Sequence, residues 1–275
     1  MDNRTENLRL HEALTAAFGE GIVECHDSLN STQTRAHELA RGGAPRALVV
    51  AREQTAGRGR LTRHWESPKG GGIYFSILFR PVLPPSEAHL VNIAAALSVS
   101  EAIRSTMEIE TALKWPNDLL LSYPSGETGG KVCGILSESA FRGASLDYCI
   151  TGIGINFYEP KESSPAVKTR AGGLRPERTG PEDTEEPDAA ALLSRVVRIF
   201  FERIGALERG ESARLLKLYR EKCASVGRTV TVETDSETLT GLCSGIGDEG
   251  ELVVETPGGT ERRFHVADIT HARLK

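Results

Sequence analysis

Two hydrophobic periods run through this chain. Leu90, Ile93, Ala94, Leu97 and Ile103 recur at helical spacing and predict a helix that opens at Ser86-Glu87 and runs to about Met107. The same period predicts helices over Ala189–Leu207, with Leu192, Val196, Phe200 and Ile204 on one side, and over Ser212–Lys222. A shorter helix over Ser31–Leu39 has Ser31 as its cap and Ala36, Leu39 and Ala40 along one face, and Gly42-Gly43-Ala44-Pro45 stops it. Short apolar runs predict strands at Val23–Asp27, Ala47–Ala51, Ile73–Phe79, Thr111–Trp115, Leu119–Leu121, Val132–Ser137 and Tyr148–Asn156. Ala47–Ala51 reads as buried and Ile73–Phe79 as central, while Tyr123–Gly130 has the chemistry of a hairpin turn. Glu159–Asp188, dense in Pro, Gly, Ser, Glu and Arg, predicts a long surface loop. From Gly227 the pattern changes to short strands at Thr229–Glu233, Thr238–Leu242, Leu252–Glu255 and Arg262–His265, which fits a small β-barrel. The expected fold is therefore α+β: a mixed-sheet body over 1–224 and a C-terminal barrel over 225–275.

Bulk composition narrows the function classes. With 39% hydrophobic and 26% charged residues the chain is globular rather than disordered. A net charge of −5 argues against DNA or RNA as the main partner. No run is apolar enough to span a bilayer, and Met1–Glu24 lacks the layout of a signal peptide, so the expected location is cytoplasmic. Five scattered cysteines without a CxxC pair read as free thiols.

Gln54–Trp65 is the segment richest in candidate chemistry. Its glycines let a ligand approach the backbone, and Arg58, Arg60 and Arg63 supply fixed positive charge suited to phosphate or carboxylate oxygens. Trp65 is placed to cover a ring. Such a loop is expected to order on an anion, because its like charges repel one another. Lys114-Trp115-Pro116-Asn117-Asp118 reads equally as a strand-to-turn junction or as a nucleotide site with Asp118 near Mg²⁺. Lys131, at the start of a strand, is either a solvated edge residue or a cation aimed into a cleft, with Glu138 as a candidate ion-pair partner. Gly152 and Gly154 alternate on a strand and make room for a flat ligand or for close packing. The dinucleotide fingerprint fails at Phe157, and Gly126–Lys131 has the wrong spacing for a P-loop. No HExxH, no clustered Cys/His and no GxSxG occurs, so no metal held by a protein cluster and no nucleophile elbow is expected.

Taken in order, Ser31-Thr32-Gln33, Glu53–Arg60, Trp65–Pro68, Lys114–Asp118, Lys131–Leu136 and Gly152–Asn156 resemble the signature segments of the bacterial biotin–protein ligases. The resemblance implies a mixed-sheet domain of the kind shared with lipoyl ligases, followed by an SH3-like barrel. It implies activation of biotin with Mg·ATP to biotinyl-5′-adenylate, then transfer to a lysine of a biotin carboxyl carrier domain of an acyl-CoA carboxylase. It assigns Ser31, Thr32, Gln33, Gln54, Arg58, Gly59, Arg60, Trp65, Lys131 and Gly134 to biotin. Arg58, Arg60, Arg63, Trp65, Asn117, Asp118, Lys131 and Asn156 go to ATP and the adenylate, with Lys131 and Arg60 as the catalytic pair. Three departures stand out: Gln33 where the family prefers Asn, Thr62 where glycine is usual, and a long Tyr123–Gly130 turn. About two dozen residues precede Val23, too few for the DNA-binding domain that some relatives carry, so no DNA partner is expected. A lipoate or octanoate ligase or transferase of the same fold, or a non-catalytic biotin-binding regulator, remains the alternative. A homodimer is left open.

Overall fold

Short aliphatic runs pair into one sheet because each has two faces to bury. The computed structural model describes residues 3–60, 63–159, 171–175, 188–234, 236–265 and 267–271. Its strands are β1 (Ile22–His26), β2 (Ala47–Ala51), β3 (Gly72–Phe79), β4 (Thr111–Lys114), β5 (Asp118–Ser122), β6 (Thr128–Arg142) and β7 (Ser145–Asn156). They form a seven-stranded sheet in the order β1-β2-β3-β7-β6-β5-β4. β1 and β2 run parallel, and every other neighbouring pair is antiparallel, so the sheet is mixed as expected.

Helices cover its two faces unequally. On one face lie α1 (Asn3–Phe18), α3 (Leu90–Met107), α4 (Ala189–Glu208) and α5 (Ser212–Lys222). Here Phe75, Ile77, Ile135, Ile153 and Ile155 of the sheet join Leu97, Val196 and Phe200 in the main core. On the other face α2 (Thr32–Arg41) sets Ala36 and Ala40 over Ala47, Val49, Leu78 and Ile150. Alternate residues of one strand thus serve two cores, as the pleat requires. Next to the N-terminus of α2, the same face carries Ser76, Gly134, Gly152 and Gly154 and borders a cavity.

The C-terminal unit is a five-stranded antiparallel sheet of β8 (Thr229–Glu233), β9 (Thr238–Ile246), β10 (Leu252–Glu255), β11 (Glu261–Phe264) and β12 (Asp268–His271), in the order β11-β10-β9-β8-β12. It is docked on the body: the Trp115 indole donates to the Gly250 carbonyl at 3.0 Å, and Arg220 Nε donates to the Ile246 carbonyl at 2.7 Å. The α+β class expected from the sequence is the class observed.

Four features differ from the sequence reading. α1 was not expected; Leu10, Leu14 and Phe18 bury at four-residue spacing, but the polar residues between them mask the period. The helix expected from Ser86 is instead a 3-10 turn at Pro85–Glu87 followed by α3. β6 and β7 are longer than their apolar runs and meet in a tight turn at Gly143-Ala144. β12 was missed. Most of the Glu159–Asp188 surface loop lies outside the described residues, as does Thr62. Its stretch 171–175 is not a free loop: Gly172 N donates to Lys131 O at 2.9 Å, Leu174 N to Asn156 O at 3.1 Å, and Leu174 is buried. All five cysteines are free thiols; burial pushes the Cys25 thiol up to about 11.

Phe200 is fully buried and meets Phe79 and Phe201 edge-on, at centroid distances of 5.2 and 5.4 Å. Phe200→Ala leaves a void between α4 and β3 and is expected to cost about 3–5 kcal/mol. Denaturant unfolding checks this, and a midpoint within error of wild type would contradict the packing described.

Candidate active site

Close backbone pairing of glycines makes the floor of the site. In the register of β6 and β7, Gly134 faces Gly154 and Leu136 faces Gly152. The Trp65 ring lies directly on this bare patch. A Cβ on Gly154 would stand 2.3 Å from Trp65 Nε1, and one on Gly134 would stand 2.7 Å from Trp65 Cζ3. The indole N–H is buried and has no hydrogen-bond partner among the described residues. Such an unmet donor costs free energy that a ligand acceptor recovers. Around the floor opens a cavity of about 530 Å³, of a size that takes a small-molecule ligand.

Polar side chains line the cavity beside the N-terminus of α2. Ser31 caps the helix, its hydroxyl accepting from Thr34 N at 3.4 Å, which turns Thr32 and Gln33 toward the sheet. Gln54 Oε1 accepts from Thr32 N at 2.9 Å and from the Thr32 hydroxyl at 3.1 Å. Gln54 Nε2 donates to Ser67 at 2.9 Å. Ser76 Oγ lies 2.8 Å from the Thr32 hydroxyl and donates to Gln33 Oε1 at 3.3 Å. Ser31, Thr32 and Gln33 are all buried, and these bonds help to satisfy their polar groups.

Charge lines the rest. Lys131 Nζ is 2.6 Å from Asp118 Oδ1 and 4.9 Å from the Trp65 ring centroid. Its side chain is 19% exposed, so it is a cleft residue and not a solvated edge lysine. Its ion-pair partner is Asp118 and not the candidate Glu138, because β5 and β6 pair side by side there. Glu138 instead receives Arg58 at 2.9 Å, His37 at 2.8 Å and Gln33 at 2.9 Å. Burial opposes its ionisation, but the His37 and Gln33 hydrogen bonds and the Arg58 charge outweigh it and hold its carboxyl below the ordinary value.

Two of the loop arginines have partners within the protein. Arg58 is paired with Glu138, and Arg60 donates to the Ala267 carbonyl of the C-terminal unit at 3.1 Å. Within the loop, Trp65 N donates to Gly57 O at 3.0 Å and Gly59 N to Arg63 O at 2.8 Å, so its described part is an irregular hairpin. Asn117 Nδ2 donates to Ile135 O at 2.9 Å and Asn156 Nδ2 to Gly172 O at 3.2 Å, so each clamps backbone while lining the cavity. Every residue that the resemblance assigned to biotin, ATP or the adenylate lines this cavity. It is also lined by Lys114, which is buried, and by Phe75, Ser76, Glu66, His64 and Ile269, none of which the sequence marked as site residues. Lys114 carried a signal, being a lysine inside a segment already suspected. Ile269 carried none, since it arrives from β12 across the domain junction. Among the described residues no group of His, Cys, Asp or Glu is arranged to hold a metal ion, and no helix is long and apolar enough to cross a membrane.

Fold and cavity together define a member of the biotin and lipoate protein ligase class. Residues 26–156 match the biotin/lipoate A/B protein ligase family, and residues 226–271 match the biotin protein ligase C-terminal domain. The chain is 34% identical over 257 residues to the bifunctional ligase/repressor BirA of Bacillus subtilis, covering 93% of this chain and 75% of that protein. It is 30% identical to the biotin–[acetyl-CoA-carboxylase] ligase of Paracoccus denitrificans, covering 84% of this chain and 93% of that one. Its fold is similar to that of the Aquifex aeolicus biotin protein ligase in complex with biotin and ATP, with a TM-score of 0.69, 28% identity, and coverage of 92% and 99% of the two chains. This chain belongs to the biotin protein ligase family.

Because only glycine leaves room for Trp65, Gly154→Ala is expected to lift the indole off the floor. Tryptophan emission should then shift to the red, and the shift should vanish when Trp65→Phe is added. An unchanged emission spectrum in Gly154→Ala would mean that the ring does not rest on this residue.

Proposed function

We propose that this chain is an ATP-dependent biotin–protein ligase that makes biotinyl-5′-AMP and passes the biotin to a lysine of a biotin carboxyl carrier domain. The observation that carries the reading is the placement of Lys131: an ammonium sunk in the cavity wall, beside the glycine floor and against Trp65 and Asp118. Relatives named for biotin ligation, and an Aquifex structure holding biotin and ATP, support biotin and ATP as the substrates. Residues 1–224 would be the catalytic domain and 225–275 the C-terminal domain.

On this reading the biotin head sits against Ser31, Thr32, Gln33, Gln54, Gly59 and Gly134. In the first step a carboxylate oxygen of biotin attacks the α-phosphorus of Mg·ATP. The new O–P bond replaces the bond to pyrophosphate, which leaves. Two anions must meet, so the barrier is set by their repulsion. Lys131 and Arg60 lower it by offering donors where charge gathers in the transition state. Asp118 aims Lys131 through their 2.6 Å contact, and Mg²⁺ would be carried by the ATP phosphates. Asn117, Asp118 and Asn156 flank the nucleotide, and Arg58, Arg63 and Trp65 close over the adenylate and keep water from the anhydride. In the second step the carrier lysine amine attacks the biotinyl carbonyl, an amide forms, and AMP departs.

Purified protein is expected to catalyse biotin-dependent exchange of pyrophosphate into ATP and not to do so with lipoate. Exchange with lipoate alone, or none with either acid, would sink this reading. Lys131→Met keeps the length and removes the charge. Its adenylation rate should fall about two to three decades while its biotin dissociation constant changes far less. Single-turnover adenylation within about twofold of wild type would remove Lys131 from the mechanism.

A further inference from the structure

Glu138 lies outside the residues assigned above, yet two cavity side chains, Gln33 and Arg58, converge on it together with His37. Gln33 is the informative one. Its Nε2 donates to Glu138 Oε2 at 2.9 Å and is 3.3 Å from the Leu136 carbonyl. Both neighbours are acceptors only: a backbone carbonyl, and a carboxylate that its partners keep ionised. The amide therefore has one permitted orientation, with nitrogen toward Glu138 and oxygen toward the floor. The oxygen lies flat on Gly152, where a Cβ would stand 2.2 Å from it. It accepts one hydrogen bond, from Ser76 at 3.3 Å, and an amide oxygen has a second lone pair.

We propose that Glu138 is a positioning residue that locks the Gln33 amide so that its oxygen faces the cavity as an acceptor for a ligand N–H. The inference rests on the reading of the cavity as a biotin site and deepens it: the cyclic urea of biotin carries two N–H donors, and the dithiolane of lipoate carries none. A buried acceptor that the correct ligand satisfies and the wrong one leaves unpaired discriminates strongly. The lock uses the full length of the glutamine, whose amide reaches from α2 to Glu138 where the family prefers the shorter asparagine.

A double-mutant cycle on the full chain, read by titration calorimetry with biotin alone, tests this. Glu138→Gln offers Gln33 either a donor or an acceptor and releases the lock. It is expected to weaken biotin about tenfold in the Gln33 background. In the Gln33→Asn background the same change should cost less than about twofold, since no lock is left to release. Glu138→Asp, which keeps an acceptor-only group, should fall between wild type and Glu138→Gln, and it carries the cycle if Glu138→Gln does not fold. Equal weakening in both backgrounds would show that Glu138 acts through Arg58 or His37 and overturn the proposal, as would no weakening in either. Wild-type protein that binds no biotin would overturn the biotin reading itself, and this inference with it.

Discussion

The pairing of Gly134 with Gly154, and of Leu136 with Gly152, is the constraint on which the rest of the site depends. A sheet normally presents a side chain at every second residue on each face. Here three neighbouring positions on one face present none, in the middle of an otherwise packed sheet. The opposite face of the same strands keeps Ile135, Ile153 and Ile155 in the main core, so the strands are anchored while their other side stays bare. The floor is thus rigid, as a site built on packed strands should be. Trp65 can lie on it only because no Cβ intervenes, and Gln33 reaches across Gly152 for the same reason.

Around that floor the charges are arranged in pairs that neutralise one another without filling the cavity. Lys131 is held by Asp118 at one point, and Arg58 by Glu138 at another. Isolated charges in a half-buried cleft carry a desolvation cost, and partners reduce it. The pairs are partly exposed, so a charged ligand competes for them rather than facing bare cations. Arg60 is tied to a carbonyl of the C-terminal unit, which also supplies Ile269 to the wall. The small domain is therefore part of the cavity and not an appendage. The Trp115 indole on Gly250 and the Arg220 guanidinium on Ile246 hold it in register with the body.

Much of this was legible in the chain. Long helical periods marked α3, α4 and α5, and aliphatic runs marked β2, β3 and β7, because burial leaves its imprint on residue type. The Gly/Arg loop, the Lys114–Asp118 junction and Lys131 were visible as chemistry out of keeping with ordinary turns and edges. Less visible was α1, whose apolar residues are interrupted by polar ones, and β12, a short strand. The 171–175 stretch reads as loop by composition, yet it pairs with Lys131 and Asn156 and buries Leu174. Its hydrogen bonds are backbone ones, which side-chain identity does not report.

The sequence by itself determined the α+β class, the existence of a cationic glycine loop, and the family resemblance, since these depend on local residue patterns and their order. It did not determine which charges meet. Glu138 was the candidate partner of Lys131 that the sequence offered, and the side-by-side register of β5 and β6 brings Asp118 to it instead. The convergence of Gln33, His37 and Arg58 on Glu138 joins residues about eighty to a hundred positions apart. Such a cluster is a product of α2 packing over β2, β3 and β7, which brings Gln33 and His37 to Glu138 of β6. Side-chain pairing across long separations is set by strand register and packing angle, which no local window of the chain encodes.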